Sequence, residues 1–140
     1  MKSLYTAKAT AEGGRQGKVT SSDGTLDLTL TMPKSLGGQE KEGATNPEQL
    51  FAAGYSACFD SALAAVARQS KKRIESKVTS EVSIGQDPEG GFKLAVVLNV
   101  AVSGVSLEEA EELVEQAHSF CPYSKATKGN IDVELSTSVY

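Results

Sequence analysis

The sequence predicts an α+β domain. Three observations carry this reading: apolar residues alternate with polar ones in several separate segments, one long alanine-rich stretch has helical character, and a second helical stretch lies between two strand-like ones. Hairpins interspersed with helices, instead of regular strand–helix alternation, argue against a doubly wound parallel sheet, and antiparallel sheets are expected. At 140 residues the chain is expected to form a single domain, 1–140, with a core that needs no metal or disulfide staple.

The elements follow in order. Tyr5, Ala7 and Ala9 alternate with polar neighbours and suggest a first strand. Gly13-Gly14-Arg15-Gln16-Gly17 is a flexible connection that carries one charged side chain. Lys18 to Ser22 and Leu26 to Met32 read as a hairpin around Asp23-Gly24, a favoured turn pair. Residues 33–45 have no periodicity and three glycines, so they form a loop, long enough to suggest a functional loop or a cover. A helix starts at Asn46-Pro47-Glu48, with a capping residue, proline at the first helical position and an acid in the first turn, and runs through Ser70. Between Leu50 and Ala67 its only charge is Asp60, which predicts burial nearly all round, partly by a second copy of the chain.

Lys77 to Gln86 and Phe92 to Ser103 are strands joined by the turn Asp87-Pro88-Glu89-Gly90-Gly91. A second helix opens with the capping box Ser106 and Glu109. Its apolar stripe is Leu107, Ala110, Leu113, Val114 and Ala117, and Pro122 ends it at Cys121. Ile131 to Val139 is the last strand.

Charge and hydropathy exclude several functions. The net charge of −4 argues against nucleic acid or an anionic membrane as partner, because neutralising phosphates needs a basic face. The stretch Leu50–Ala67 is interrupted by Gly54, Ser56, Asp60 and Ser61, which disfavours a membrane span. Met1 to Ala7 lacks the apolar region of a secretory signal, so a cytoplasmic location is expected. In a reducing compartment the two cysteines, Cys58 and Cys121, would form a transient or catalytic bridge more readily than a structural one.

Few residues can do chemistry. His118 is the single histidine, and with Cys121 three residues on it offers too few ligands for a metal; near a helix end it reads as a cation suiting the dipole. Cys58, among Gly54, Ala57, Phe59 and Ala62, is either a small buried hydrophobe or a nucleophile. An apolar setting raises a thiol's pKa, and the helix N-terminus is about 15 Å away at 1.5 Å per residue. Arg68 is equally remote, so an activating cation must come from elsewhere in the fold. Arg15 has the reach, and Glu48 could orient it bidentately; the plainer readings are a solvated loop charge and a carboxylate facing the helix dipole. Cys121 is either a half-buried helix-end residue or a movable partner thiol at a bend.

Two long motifs decide between these readings. Asn46-Pro47-Glu48-Gln49-Leu50-Phe51-Ala52-Ala53-Gly54-Tyr55-Ser56-Ala57-Cys58-Phe59 and Cys121-Pro122-Tyr123-Ser124-Lys125-Ala126-Thr127-Lys128-Gly129-Asn130 closely resemble the organic hydroperoxide resistance branch of the Ohr/OsmC family. The likeness extends over essentially the whole chain, including Gly14-Arg15-Gln16-Gly17 and Ser21-Ser22-Asp23-Gly24, while Ser56 and Lys128 stand where alanine and arginine are expected.

The resemblance implies an OsmC-like fold: an intertwined homodimer of antiparallel sheets with a long buried central helix and a second helix. It implies that Cys58 attacks the peroxide, that Cys121 resolves the product as a disulfide, that Arg15 activates the thiolate and that Glu48 holds Arg15. It further implies sites at the subunit interface, no bound cofactor or metal, and reduction by dihydrolipoyl groups on lipoylated proteins. Glu48 and Cys58 lie ten residues apart on one predicted helix. Either that helix breaks near Gly54, or Arg15 spans part of the gap, or a second subunit supplies part of the site. Gly54, Tyr55, Phe59 and Ala62 are expected to line a groove for the alkyl part of an organic hydroperoxide.

Overall fold

The computed structural model describes all residues, 1–140. The chain divides into two compact units, Met1–Leu50 and Phe51–Tyr140.

The first unit is a three-stranded antiparallel sheet, β1 (Ala9–Glu12), β2 (Lys18–Ser21) and β3 (Asp27–Thr29), in that order. Asp23 organises the β2–β3 turn: its carboxylate accepts from Ser21 Oγ at 2.6 Å and from the Thr25 N–H at 3.0 Å. The first strand lies later than the alternation suggested. Lys8 still accepts from the Ser22 N–H, but β2 ends at this turn, so Tyr5–Ala7 have no partner strand and Tyr5 is exposed. The long loop folds back on its own unit: Thr31 and Thr45 are joined through the backbone, and Thr31 Oγ1 accepts from the Lys41 N–H. Only Leu30 and Thr31 are buried among these fifty residues.

Helix α1 (Pro47–Gln69) starts as the sequence indicates, with Asn46 Oδ1 accepting from the Gln49 N–H at 2.8 Å. It is unbroken through Gly54. The second unit continues with β4 (Glu75–Gln86), β5 (Phe92–Ser103), α2 (Leu107–Phe120), α3 (Pro122–Thr127) and β6 (Val133–Val139). Its sheet order is β4-β5-β6. The β4–β5 hairpin is antiparallel, from Glu75↔Ser103 to Gln86↔Phe92. The expected antiparallel pairing holds except at β6, which runs parallel to β5 from Val96↔Val133 to Val102↔Val139. The α2–α3 segment makes the crossover that a parallel pair requires.

The core of this unit is one cluster. Val96, Leu98, Val100 and Val102 of β5 meet Ala110, Leu113, Val114 and Ala117 of α2 and Tyr55, Phe59, Leu63 and Val66 of α1. By length and composition α1 could cross a membrane, yet its inner face builds this core. Burial nearly all round is not what this chain gives α1: Ala53, Ala57, Ser61 and Ala64 form an exposed stripe. Its polar residues fasten it to β4. Ser56 Oγ donates to Ser80 Oγ and accepts from the Ser80 N–H, and Asp60 accepts from Ser76 Oγ.

Candidate active site

Cys58 sits mid-way along α1, half-buried. Cys121 occupies the joint between α2 and α3, fully buried. The joint exists because Pro122 cannot extend α2; it serves instead as the first residue of α3, a short helix that the sequence reading did not include. The two free thiols meet across 63 residues of chain, with Cys121 Sγ donating to Cys58 Sγ at 3.7 Å. Burial pushes the Cys58 thiol above its ordinary pKa, and the neighbouring Cys121 adds to this, while the Tyr123 backbone N–H acts in the opposite direction. The cysteine pair by itself therefore favours the neutral thiol, and a thiolate nucleophile needs a cation brought to it.

Arg15 and Glu48 form the second predicted pair, inside the first unit. Arg15 sits on a single turn of 3₁₀ helix, Gly14–Gln16. Gly17 closes that turn, and a Cβ there would lie 1.7 Å from the Glu12 carbonyl oxygen, so no other residue fits. The two guanidinium nitrogens of Arg15 donate to the two Glu48 oxygens at 2.8 and 2.6 Å, a bidentate fork. The Arg15 hydrogen bonds hold the Glu48 carboxyl below its usual pKa, and Glu48 in turn raises that of Arg15. Each member of the pair thus stabilises the charge of the other. The alternatives of a solvated loop charge and a carboxylate that only serves the helix dipole do not describe this geometry.

The expected groove is corrected. Tyr55, Phe59 and Ala62 are buried in the core, because the helical period turns them onto the face that packs against the sheet. Gly54 is covered by the Tyr123 ring, whose hydroxyl oxygen would lie 2.6 Å from a Cβ at that position. Tyr123 also packs against Phe51 and Tyr55, with ring centroids 6.3 and 5.6 Å away. Phe51 and Tyr123 also line a mainly apolar cavity of about 450 Å³, together with Leu94, Pro122, Ala126 and Ile131 and the polar Thr127 and Asn130. Sequence reasoning missed it. Its signals in the sequence were Phe51 in the first motif and Pro122, Tyr123, Ala126, Thr127 and Asn130 in the second.

His118 does more than sit at a helix end. Its Nδ1 lies 2.9 Å from the buried Ser124 Oγ. No three His, Cys, Asp or Glu side chains converge to hold a metal.

Comparison with known proteins adds an independent line. The family model for OsmC-like protein matches residues 38–136. The organic hydroperoxide resistance protein OhrA of Bacillus subtilis is 54% identical over 136 residues, covering 96% of each chain. A crystal structure from Legionella pneumophila, described as an organic hydroperoxide resistance protein OsmC, superposes with a TM-score of 0.93 at 55% identity, covering 99% of this chain and 100% of that one. A further one from Vibrio cholerae, with captopril bound in one of its active sites, gives 0.91 at 47% identity, covering 98% and 94%.

Proposed function

The chain belongs to the OsmC-like family and to its organic hydroperoxide resistance branch, and from that premise we propose that it reduces organic hydroperoxides to alcohols with a pair of cysteines. The observation that carries this is the meeting of two free sulfurs, 3.7 Å apart, one buried and one half-buried. The Cys58 thiolate attacks the peroxide oxygen; the O–O bond breaks, the alkoxide takes a proton and leaves as the alcohol, and Cys58 becomes a sulfenic acid. Cys121 then displaces hydroxide from that sulfur, forming the disulfide and water. A dihydrolipoyl dithiol, carried on a lipoylated protein, restores both thiols by exchange. The route uses thiols alone and assigns no work to a metal or flavin.

Arg15, held by Glu48, supplies the positive charge that the Cys58 thiolate needs. The active form is a homodimer in the cytoplasm. Support comes from the first unit, which buries too little to stand without a covering partner, and from the exposed small-residue stripe of α1.

Counting thiols tests the activity. The fully reduced protein mixed with one equivalent of cumene hydroperoxide loses both thiols if it is this enzyme and keeps both if it is a non-enzymatic binding module of the same fold. Turnover with dihydrolipoamide, but not with thioredoxin or glutathione, is the expected reductant pattern.

A further inference from the structure

We propose that Tyr55, Ser124 and His118 form a one-way chain of hydrogen bonds that positions Cys121 to close the disulfide. The proposal rests on the two-cysteine reading given above. Ser124, Tyr55 and Thr127 are all buried, and a buried hydroxyl is costly unless it is bonded. Their contacts form a closed set. Tyr55 Oη lies 2.9 Å from Ser124 Oγ and 3.2 Å from Thr127 Oγ1, His118 Nδ1 lies 2.9 Å from Ser124 Oγ, and Thr127 Oγ1 donates to the Ser124 carbonyl at 3.1 Å.

Each hydroxyl has one proton to give. A carbonyl only accepts, so the Thr127 proton is committed to Ser124 O. Tyr55 must then donate to Thr127, and Ser124 must donate to Tyr55. Ser124 has no proton left for His118, which must donate from Nδ1. Four contacts use four protons in one direction, and the order fixes a proton on His118 Nδ1 whether the ring is neutral or charged.

The chain's placement gives it a function. Tyr55 lies three residues before Cys58, His118 three before Cys121 and Ser124 three after it. It thereby ties α1, α2 and α3 together through residues that precede Cys58 and flank Cys121 in the chain. Cys121 is also anchored through its backbone, donating to Ala117 O at 2.8 Å and accepting from the Lys125 N–H at 3.0 Å. In the closing step the Cys58 S–O bond breaks, an S–S bond forms, and the Cys121 proton leaves with the hydroxide as water. That step competes with a second peroxide, which would carry Cys58 on to the sulfinic acid. An ångström of misplacement in such a positioned reaction costs up to about a hundredfold.

The test uses the full-length protein and cumene hydroperoxide. Disulfide closure is followed by stopped flow, and Cys58 sulfinic acid by mass spectrometry. In Ser124→Ala and in His118→Leu, the ratio of closure rate to first-oxidation rate falls at least about tenfold, and sulfinic acid appears at peroxide levels that leave the parent intact. Ser124→Thr and His118→Asn, which retain a hydroxyl and an N–H donor, restore the ratio. Because His118 is the only histidine, its ¹⁵N spectrum is unambiguous, and a protonated Nδ1 is expected. If Ser124→Ala fails to fold, the half-buried His118 variants carry the same measurement. Closure at the parental ratio in a folded variant, or an unprotonated Nδ1, overturns the positioning chain while leaving the two-cysteine reading intact. A parent that takes up peroxide without forming a disulfide overturns both.

Discussion

Replacing Gly54 with alanine sets two effects of known sign against each other. In an exposed helix interior, alanine is favoured over glycine by about 1 kcal/mol. At this position the added Cβ lies 2.6 Å from Tyr123 Oη and 3.2 and 3.3 Å from its Cζ and Cε2, where ordinary contacts need about 3.5 Å or more. The ring must retreat, and because Tyr123 is 39% exposed it has space to swing outward. Doing so loosens its packing against Phe51 and Tyr55, each aromatic pair contributing about 0.5–1.5 kcal/mol. Loss of about 1–3 kcal/mol against a gain of about 1 leaves Gly54→Ala between neutral and about 2 kcal/mol less stable.

Urea unfolding at unchanged m reads this directly, and a double-mutant cycle isolates the cause. In a Tyr123→Ala background the clash is gone, so the same Gly54→Ala change should stabilise by about 1 kcal/mol. A Gly54→Ala protein that is more stable than its parent would refute the idea that Gly54 is a seat for Tyr123.

Three further outcomes are expected. Cys58→Ser should abolish peroxide consumption, whereas Cys121→Ser should react once and stall as the sulfenic acid; equal and immediate loss in both would contradict the division of roles. Glu48→Gln should destabilise by about 1–2 kcal/mol near neutral pH. Arg15 holds the Glu48 carboxyl below its unfolded pKa, so this contribution is present above the ordinary carboxylate range and is lost as pH falls through the folded value. Urea curves of parent and variant should therefore converge at acid pH, and a gap that widens there would reverse the sign. Finally, kcat/KM should favour cumene or long-chain alkyl hydroperoxides over hydrogen peroxide by more than tenfold with dihydrolipoamide in excess. Each methylene buried in the apolar cavity contributes about 0.8 kcal/mol, and a ratio near one would remove the cavity from the argument.

The sequence made some of this legible and hid the rest for identifiable reasons. Local chemistry was readable: the Asn46 cap, the Ser106–Glu109 capping box, the Asp23 turn and the strict alternation of β5 are each decided within a few residues. Partner choice was not. Alternation tells which side of β6 faces inward, but nothing in Val133–Val139 states that its neighbour runs parallel. The groove went astray because α1 has one charge in its middle, so its pattern could not select a core face, and Tyr55, Phe59 and Ala62 were placed on the wrong side. The long motifs decided the reading of both cysteines, while Arg15, which lies outside them, was singled out by its reach and Glu48 as its bidentate partner. The Tyr55–Ser124 contact, spanning 69 residues, has no local trace.

If the two sulfurs join during turnover as proposed, their separation along the chain ties turnover to resistance against unfolding. A bond between residues 63 apart removes loop-closure entropy from the unfolded chain, which amounts to about 4 kcal/mol. That is a large share of the roughly 5–15 kcal/mol by which folded domains generally outlast their unfolded chains. Each turn of the proposed two-cysteine cycle would therefore alternate between a tethered and an untethered polypeptide. In that cycle the dithiol form would be the one that proteases and heat open more readily, and a shortage of reductant would accumulate the sturdier form. Reductant supply would then govern how long the protein survives as well as how fast it works.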